Sequence, residues 1–176
     1  MASADLRWHV PVRLDDVPET GLHLALAADE AARGNLRTLA ALRELPRLEA
    51  QIDIVRRGNG LHASGRLSAT VGQICVVTLE PIEGTVEEAI DVAFLPASAE
   101  LAAATQHDGD EAPEPLVDGV ADIGAVVSEF FLLGIDRYPR KPGAVFASPV
   151  AEEGGAGASG PSPFAALAKL KKADKA

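Results

Sequence analysis

The chain has 176 residues, a formal net charge of −10 and a single cysteine. This length suits one domain with appended tails, and one cysteine excludes an intramolecular disulfide. No apolar run approaches the roughly 20 residues that a membrane span requires, and the acidic charge argues against a general nucleic-acid coat but not against local contacts by clustered cations.

The first third of the chain predicts two strands and a helix. Residues 7–14 alternate, with Trp8, Val10 and Val12 on one face, and predict a strand. Residues 22–27 predict a second, short strand. Residues 29–44 predict a helix that Pro46 ends. Its apolar positions are Ala28, Ala32, Leu36 and Leu39, which fall near one face.

Four apolar runs between residues 47 and 95 predict an antiparallel meander. The runs are residues 48–54, 61–71, 74–79 and 86–94. The first two alternate cleanly, and Asn59-Gly60 between them is a dipeptide typical of hairpin turns. The run at 74–79 is continuously apolar, so we expect it to be the most deeply buried strand.

The remainder combines flexible composition with one strong helix. Residues 96–119 are rich in Pro, Ala and acids and predict a mobile acidic loop. Asp122 begins a predicted helix over 122–134. Residues 149–162 read as a linker, and 163–176 as a short basic helix or tail.

Together these elements predict an α+β domain over residues 1–148. We expect a curved antiparallel sheet, open or barrel-like, packed by the two helices at 29–44 and 122–134.

The sequence offers few residues for catalysis or metal binding. Cys75 has no histidine in its neighbourhood to activate it, which favours a buried small side chain over a nucleophile. One cysteine and four scattered histidines provide no zinc spacing. Asp108, Asp110 and Glu111 lack the pattern of a calcium loop. We therefore predict no catalytic residue, no metal site and no cofactor.

Clustered cations are the main candidates for a binding site. Residues 67–136 contain 14 acids and no Lys or Arg, so the charge changes sign at residue 137. Arg137, Tyr138, Arg140 and Lys141 then follow among prolines. These side chains could contact phosphates and stack on a base, or the cations could neutralise the acidic sheet. Arg56 and Arg57 form a second, weaker cluster at a predicted hairpin.

Two segments resemble a known family. The first is CVVTLEPIEGTVEEAIDVAF, which begins at Cys75, and the second is PLVDGVADIGAVVSEFFLLGIDRYPRKPG. The second contains Asp122, Gly124 and Glu129, followed by Tyr138, Pro139 and Arg140. Both are similar to the YceD-like proteins, the large ribosomal RNA subunit accumulation family. Many members have C-x-x-C at the first segment, whereas Thr78 replaces the second cysteine here.

This resemblance implies a non-catalytic bacterial factor that supports the synthesis, processing or stability of 23S rRNA. The expected partner is rRNA or a ribosomal protein. An acidic adapter that binds a basic protein is the alternative, and an enzyme that uses the loop acids is a third class. The N-terminal residues lack a signal-peptide pattern, so we expect a cytoplasmic protein, and we expect it to be monomeric.

Overall fold

A computed structural model describes residues 8–96 and 113–146. Contacts divide the chain into two units, Met1–Ala144 and Val145–Ala176, and the fold below is that of the first. Three predicted segments lie outside the described residues. They are residues 97–112 of the acidic loop, the linker at 149–162 and the tail at 163–176. The predicted limits of the domain, linker and tail therefore stay predictions.

The described residues form two helices and two sheets. The elements in chain order are β1 (Pro11–Arg13), β2 (Leu22–Ala27), α1 (Glu30–Leu39), β3 (Glu44–Arg57), β4 (Gly60–Ile74), β5 (Pro81–Pro96), β6 (Glu114–Leu116), β7 (Val120–Asp122) and α2 (Ile123–Gly134). The main sheet has the order β2-β3-β4-β5-β6 and is antiparallel except for the β5–β6 pair. β1 pairs with β7 in a small second sheet. The α+β prediction is confirmed, and the main sheet is open, with β2 and β6 at its edges.

One face of the main sheet provides most of the core. Alternating side chains on β3, β4 and β5 point to this face because successive residues of a strand face opposite ways. The buried members include Ile52, Ile54, Leu67, Ile90 and Phe94. They form one continuous apolar cluster with Leu36 of α1 and with Val127 and Phe131 of α2. The opposite face is largely polar.

The first helix is shorter than predicted. Asp29 is its N-cap and accepts a hydrogen bond from the Ala32 amide at 2.7 Å, but the helix ends at Leu39 rather than Glu44. Ala41 has a φ of 52°, which turns the chain out of the helix. The Arg43 amide then donates to the Gly72 carbonyl of β4. The Leu42 amide donates to the Arg37 carbonyl and the Ala41 amide to the Thr38 carbonyl, so a local cap ends the helix. Pro46 does not end it and lies within β3 beside a register shift.

The predicted strand at 74–79 is wrong. β4 continues to Ile74, and residues 75–80 form a tight turn into β5. Only Cys75 of this run is fully buried, whereas Val76 is 44% exposed and Leu79 is 76% exposed. The meander therefore has three long strands instead of four shorter ones.

Two smaller differences concern the hairpin and the end of the acidic loop. The turn between β3 and β4 consists of Gly58 and Asn59, because Arg57 pairs with Gly60. A Cβ on Gly60 would lie 2.1 Å from the Phe94 carbonyl oxygen, so this glycine serves close strand packing. Residues 114–116, for which composition predicts a loop, form strand β6 alongside β5.

The other predicted elements agree more closely with the structure. β2 spans the predicted residues 22–27, and α2 follows the predicted Asp122 cap. The first strand is reduced to Pro11–Arg13, and a 3-10 turn follows it at Leu14.

Candidate nucleic-acid interface

The turn between β4 and β5 is organised around a buried sulfur. We call residues 75–80 the Cys75 turn. The Leu79 amide donates to the Cys75 carbonyl at 2.9 Å, and the Cys75 amide donates to the Glu80 carbonyl at 2.8 Å. The Thr78 amide points to the Cys75 Sγ at 3.4 Å. Leu79 has a φ of 58°, an uncommon conformation for a bulky residue.

The segment after α2 packs against this turn. We call residues 136–143 the Tyr138 loop. The Val76 amide donates to the Pro139 carbonyl at 2.9 Å, and the Lys141 amide donates to the Cys75 Sγ at 3.3 Å. The Lys141 ammonium pairs with the Glu80 carboxylate at 2.8 Å. Two segments about 60 residues apart in sequence thus form one structural unit.

The electrostatics of this unit follow from these contacts. Hydrogen bonds from the Lys141 amide and from Thr78 lower the pKa of the Cys75 thiol to about 6, although burial opposes this shift. The Lys141 ammonium lowers the pKa of Glu80 through a hydrogen bond and through its charge. The same carboxylate raises the pKa of Lys141. Cys75 is buried, as predicted. Its sulfur also accepts hydrogen bonds, which the sequence did not indicate.

The Tyr138 loop presents an aromatic ring and two arginines to solvent. Tyr138 is 72% exposed, while its amide donates to the Asp136 carboxylate at 2.8 Å. Pro139 is buried beneath it, and Arg137 and Arg140 are exposed. Among the residues that the structure describes, neither arginine has a carboxylate partner. The loop therefore combines an anchored backbone with an exposed ring and two available guanidinium groups.

The second predicted cluster lies elsewhere. Arg56 and Arg57 are at the end of β3, where Arg57 pairs with the first residue of β4. The Cys75 turn follows the last residue of β4, and a strand of 15 residues spans roughly 45 Å. Arg56 also donates from Nε to the Val17 carbonyl at 2.6 Å. The structure does not join this cluster to the Tyr138 loop.

The family-signature residues at the start of α2 anchor the N-terminal segment. The Asp122 carboxylate accepts hydrogen bonds from the Val10 amide at 3.0 Å and the Ala125 amide at 3.1 Å. It also contacts the His9 ring at 2.5 Å. Burial alone would raise the pKa of Asp122, but these hydrogen bonds outweigh it and lower the pKa below its usual value.

Gly124 allows the backbone of the N-terminal segment to lie close to the first turn of α2. A Cβ at this position would lie 2.5 Å from the Trp8 carbonyl oxygen and 2.7 Å from the Val10 nitrogen. The Ser128 hydroxyl donates to the Gly124 carbonyl and accepts from the Trp8 amide. Asp122 and Gly124 thus have a structural role, while Glu129 lies on the exposed side of α2.

Sequence reasoning missed an open groove beside the Tyr138 loop. It has a volume of about 610 Å³ and lies between the C-terminal ends of α1 and α2 and the end of β4. Its apolar lining includes Leu39, Ile74, Val76, Leu132 and Ile135. Leu39, Ile74 and Val76 are between 44% and 47% exposed. The signal that could have revealed it is the apolar run at 74–79, whose composition is equally typical of a core strand.

Neither a metal-ligating cluster nor a membrane-spanning helix is present in the described part of the chain. No group of three or more His, Cys, Asp or Glu residues there could hold a metal ion. In residues 8–96 and 113–146, no helix has the length and apolar character needed to cross a bilayer.

The comparison with protein-family models identifies the family of this chain. The family model described as "Large ribosomal RNA subunit accumulation protein YceD" matches residues 63–171, more than half of the chain. The chain belongs to the YceD family. No curated protein and no solved structure matches it.

The matched region of this YceD family member contains both segments of the candidate interface. The Cys75 turn and the Tyr138 loop lie within residues 63–171, as do Asp122 and Gly124. Membership indicates a role in the accumulation of large-subunit ribosomal RNA, and the family's description names no enzymatic activity.

Proposed function

We propose that this protein is a non-catalytic factor in large ribosomal subunit biogenesis that binds 23S rRNA or its precursor through the Tyr138 loop. The proposal places it in the cytoplasm, where such a factor would meet its RNA. The main support for RNA binding is that Tyr138, Arg137 and Arg140 are exposed on one loop, whose backbone is fixed by the Cys75 turn.

The fixed backbone supports this function because it reduces the entropy lost on binding. Pro139 and Pro142 restrict the loop further. Arginine suits phosphate better than lysine does, because its guanidinium can donate two parallel hydrogen bonds. An exposed tyrosine can stack on an unpaired base. Lys141 contributes less to this surface, since Glu80 already pairs with it.

The test is binding of precursor 23S rRNA at several salt concentrations to wild type and to the double variant Arg137→Ala, Arg140→Ala. The variant should bind more weakly, and its log–log salt slope should fall by about 0.7 to 0.9 for each phosphate that the variant no longer neutralises. The matched control is Arg13→Ala, Arg66→Ala, which removes the same charge from exposed positions elsewhere. Circular dichroism checks that each variant folds.

An unchanged affinity and slope in the folded loop variant would refute direct RNA contact through this loop. An equal loss of affinity in both double variants would mean that only the overall charge matters.

A second candidate function is supported by the uncovered face of the main sheet. Acids outnumber arginines on this face: the exposed acids are Glu49, Asp53, Glu83, Glu87 and Asp91, and the arginines are Arg47, Arg57 and Arg66. Such a surface would suit a basic protein, as an adapter requires. This candidate predicts co-purification of one basic protein after RNase treatment, with loss of that protein in the variant Glu83→Gln, Glu87→Gln.

A further inference from the structure

The groove beside the Tyr138 loop has two chemically different parts. Its floor is aliphatic, with the half-buried Leu132 and Ile135 next to the partly exposed Ile74. Its rim contains Arg43, Asp136 and Arg137. The Arg43 guanidinium lies 3.4 Å from the Glu44 carboxylate, whereas Arg137 has no carboxylate partner among the described residues. A volume of about 610 Å³ lies within the usual range of ligand clefts. The groove is thus suited to a ligand that has a flat apolar part and a negatively charged part.

The helix ends determine which part of such a ligand can enter. The lining includes Ala40 and Ala41 after the last turn of α1, and Leu132 and Ile135 at the end of α2. The C-terminal end of a helix carries partial negative charge and outward carbonyl groups. A phosphate inside the groove would be repelled by these partial charges and by the Asp136 carboxylate, whereas the amino and imino N–H groups of a base edge carry partial positive charge and suit this environment. Phosphates would instead remain at the rim, beside Arg137.

We propose that this groove holds an unpaired RNA base, with Arg137 contacting a flanking phosphate. The inference rests on the proposed function and deepens it by naming the form of RNA. The groove is continuous with the proposed RNA-binding loop, because Arg137 and Pro139 belong both to the groove lining and to the Tyr138 loop. Tyr138 is then placed to stack on a neighbouring base of the same strand.

This arrangement requires single-stranded RNA. A base that is paired in an A-form duplex cannot enter the groove, since its edge and both faces are occupied. The protein should therefore distinguish a single strand from a duplex of the same sequence. It should do so with little preference among sequences, because an aliphatic floor accepts the flat face of any base.

The experiment uses the full chain and a mixed-sequence RNA of about 12 nucleotides, a length within the usual site size of single-strand binders. Fluorescence anisotropy compares this single strand with the same strand annealed to its complement. The variants are Ile74→Asp, which places a charge on the groove floor, and Ile74→Ala, which only shortens the apolar side chain. The matched control is Val55→Asp, since Val55 is another partly exposed aliphatic strand residue and lies outside the groove.

We expect the single strand to bind at least about tenfold more tightly than the duplex, as the loss of one stacked base implies. Ile74→Asp should weaken single-strand binding by about tenfold and Ile74→Ala by a smaller factor. Val55→Asp should remain within about twofold of wild type, as expected for a residue that does not touch the RNA. Amide chemical shifts should change at residues 74–76 on addition of the single strand.

Equal binding of strand and duplex would overturn the inference, and so would a folded Ile74→Asp variant with wild-type affinity. If wild type binds RNA and this binding is abolished in Arg137→Ala, Arg140→Ala but not in Ile74→Asp, the Tyr138 loop binds RNA and the groove does not. If wild type binds neither form, direct RNA contact and base binding both fail, and the groove is then better explained as a protein-docking surface.

Discussion

Replacing Gly124 by alanine tests whether the N-terminal segment is anchored at the start of α2. The new Cβ would lie 2.5 Å from the Trp8 carbonyl oxygen and 2.7 Å from the Val10 nitrogen. Both are backbone atoms, so no side-chain rotation can relieve the overlap. The segment must move, and the Val10 amide bond to the Asp122 carboxylate moves with it.

Two opposing effects set the magnitude. Alanine is favoured over glycine within a helix by up to about 1 kcal/mol. Overpacking costs about 1–3 kcal/mol. Displacement of the segment also weakens three hydrogen bonds, each with a net value of about 1 kcal/mol. These bonds join the Val10 amide to Asp122, the Trp8 amide to Ser128 and the Ile123 amide to the Val10 carbonyl. We therefore expect Gly124→Ala to lower the free energy of unfolding by about 1–4 kcal/mol.

Gly34→Ala is the matched control. Gly34 lies within α1, and a Cβ there would meet no atom within 4 Å. The same substitution should therefore stabilise the protein by about 0.5–1 kcal/mol. Urea denaturation measures both changes, and thermal unfolding should show shifts of opposite sign at about 2–4 °C per kcal/mol. A Gly124→Ala variant as stable as Gly34→Ala would refute the anchoring of the N-terminal segment.

Three further predictions concern the Cys75 turn, the helix cap and metal ions. Cys75→Ala should destabilise the fold, because it leaves the Thr78 and Lys141 amides without their sulfur acceptor. The folded thiol has a pKa of about 6, below the usual value of 9.0. The difference in stability between wild type and variant should therefore widen as the pH rises from about 6 to 9.0. It should narrow again as the pH falls through the pKa of the folded thiol. Denaturation at several pH values measures this difference. Asp122→Ala should cost about 1 kcal/mol near neutral pH through loss of the cap. Because the pKa of Asp122 is lowered in the fold, that cost should disappear in acid as the carboxylate becomes protonated. A strong chelator should leave the melting temperature within about 1 °C, and a drop of several degrees would reveal a structural metal.

The strands of the sheet were predictable because one of its faces is buried, which makes apolar and polar residues alternate in the sequence. Residues 48–54 and 61–71 alternate in sequence, and the structure places Ile52, Ile54 and Leu67 in the core. The start of α2 was equally readable, since Asp122 is an N-cap residue with an apolar stripe after it. Local pattern and tertiary burial agree at these positions.

The end of α1 and the run at 74–79 could not be predicted in this way. Helical periodicity continues past Leu39, but the positive φ of Ala41 ends the helix, and the Arg43 amide then pairs with Gly72 of β4. This pairing is a long-range contact that no local pattern indicates. In the run at 74–79, apolar side chains predict burial, yet Ile74 and Val76 line an open groove. Apolar composition does not distinguish a core from an exposed binding surface.

The candidate site shows the same limit. The change in charge at residue 137 predicts the cations at 137–141 as a candidate site, and the proposed interface contains two of them. What the sequence did not show is that the sulfur of Cys75 accepts the Lys141 amide, which fixes the loop from a distant turn. Nor did it show that Arg56 and Arg57 lie at the other end of β4.

Charge distribution connects the fold to the proposed RNA contact. β5 carries acids without any Lys or Arg, and so do the described residues from 113 to 136. Arg137 and Arg140 therefore follow a stretch of net negative charge but have no carboxylate partner within the described residues. The acidic remainder should repel a phosphate backbone at longer range, so RNA would be tolerated only where the Tyr138 loop projects. At about 0.15 M salt this repulsion is screened beyond about 8 Å, which leaves the short-range loop contacts to set affinity and the acidic surface to limit their extent.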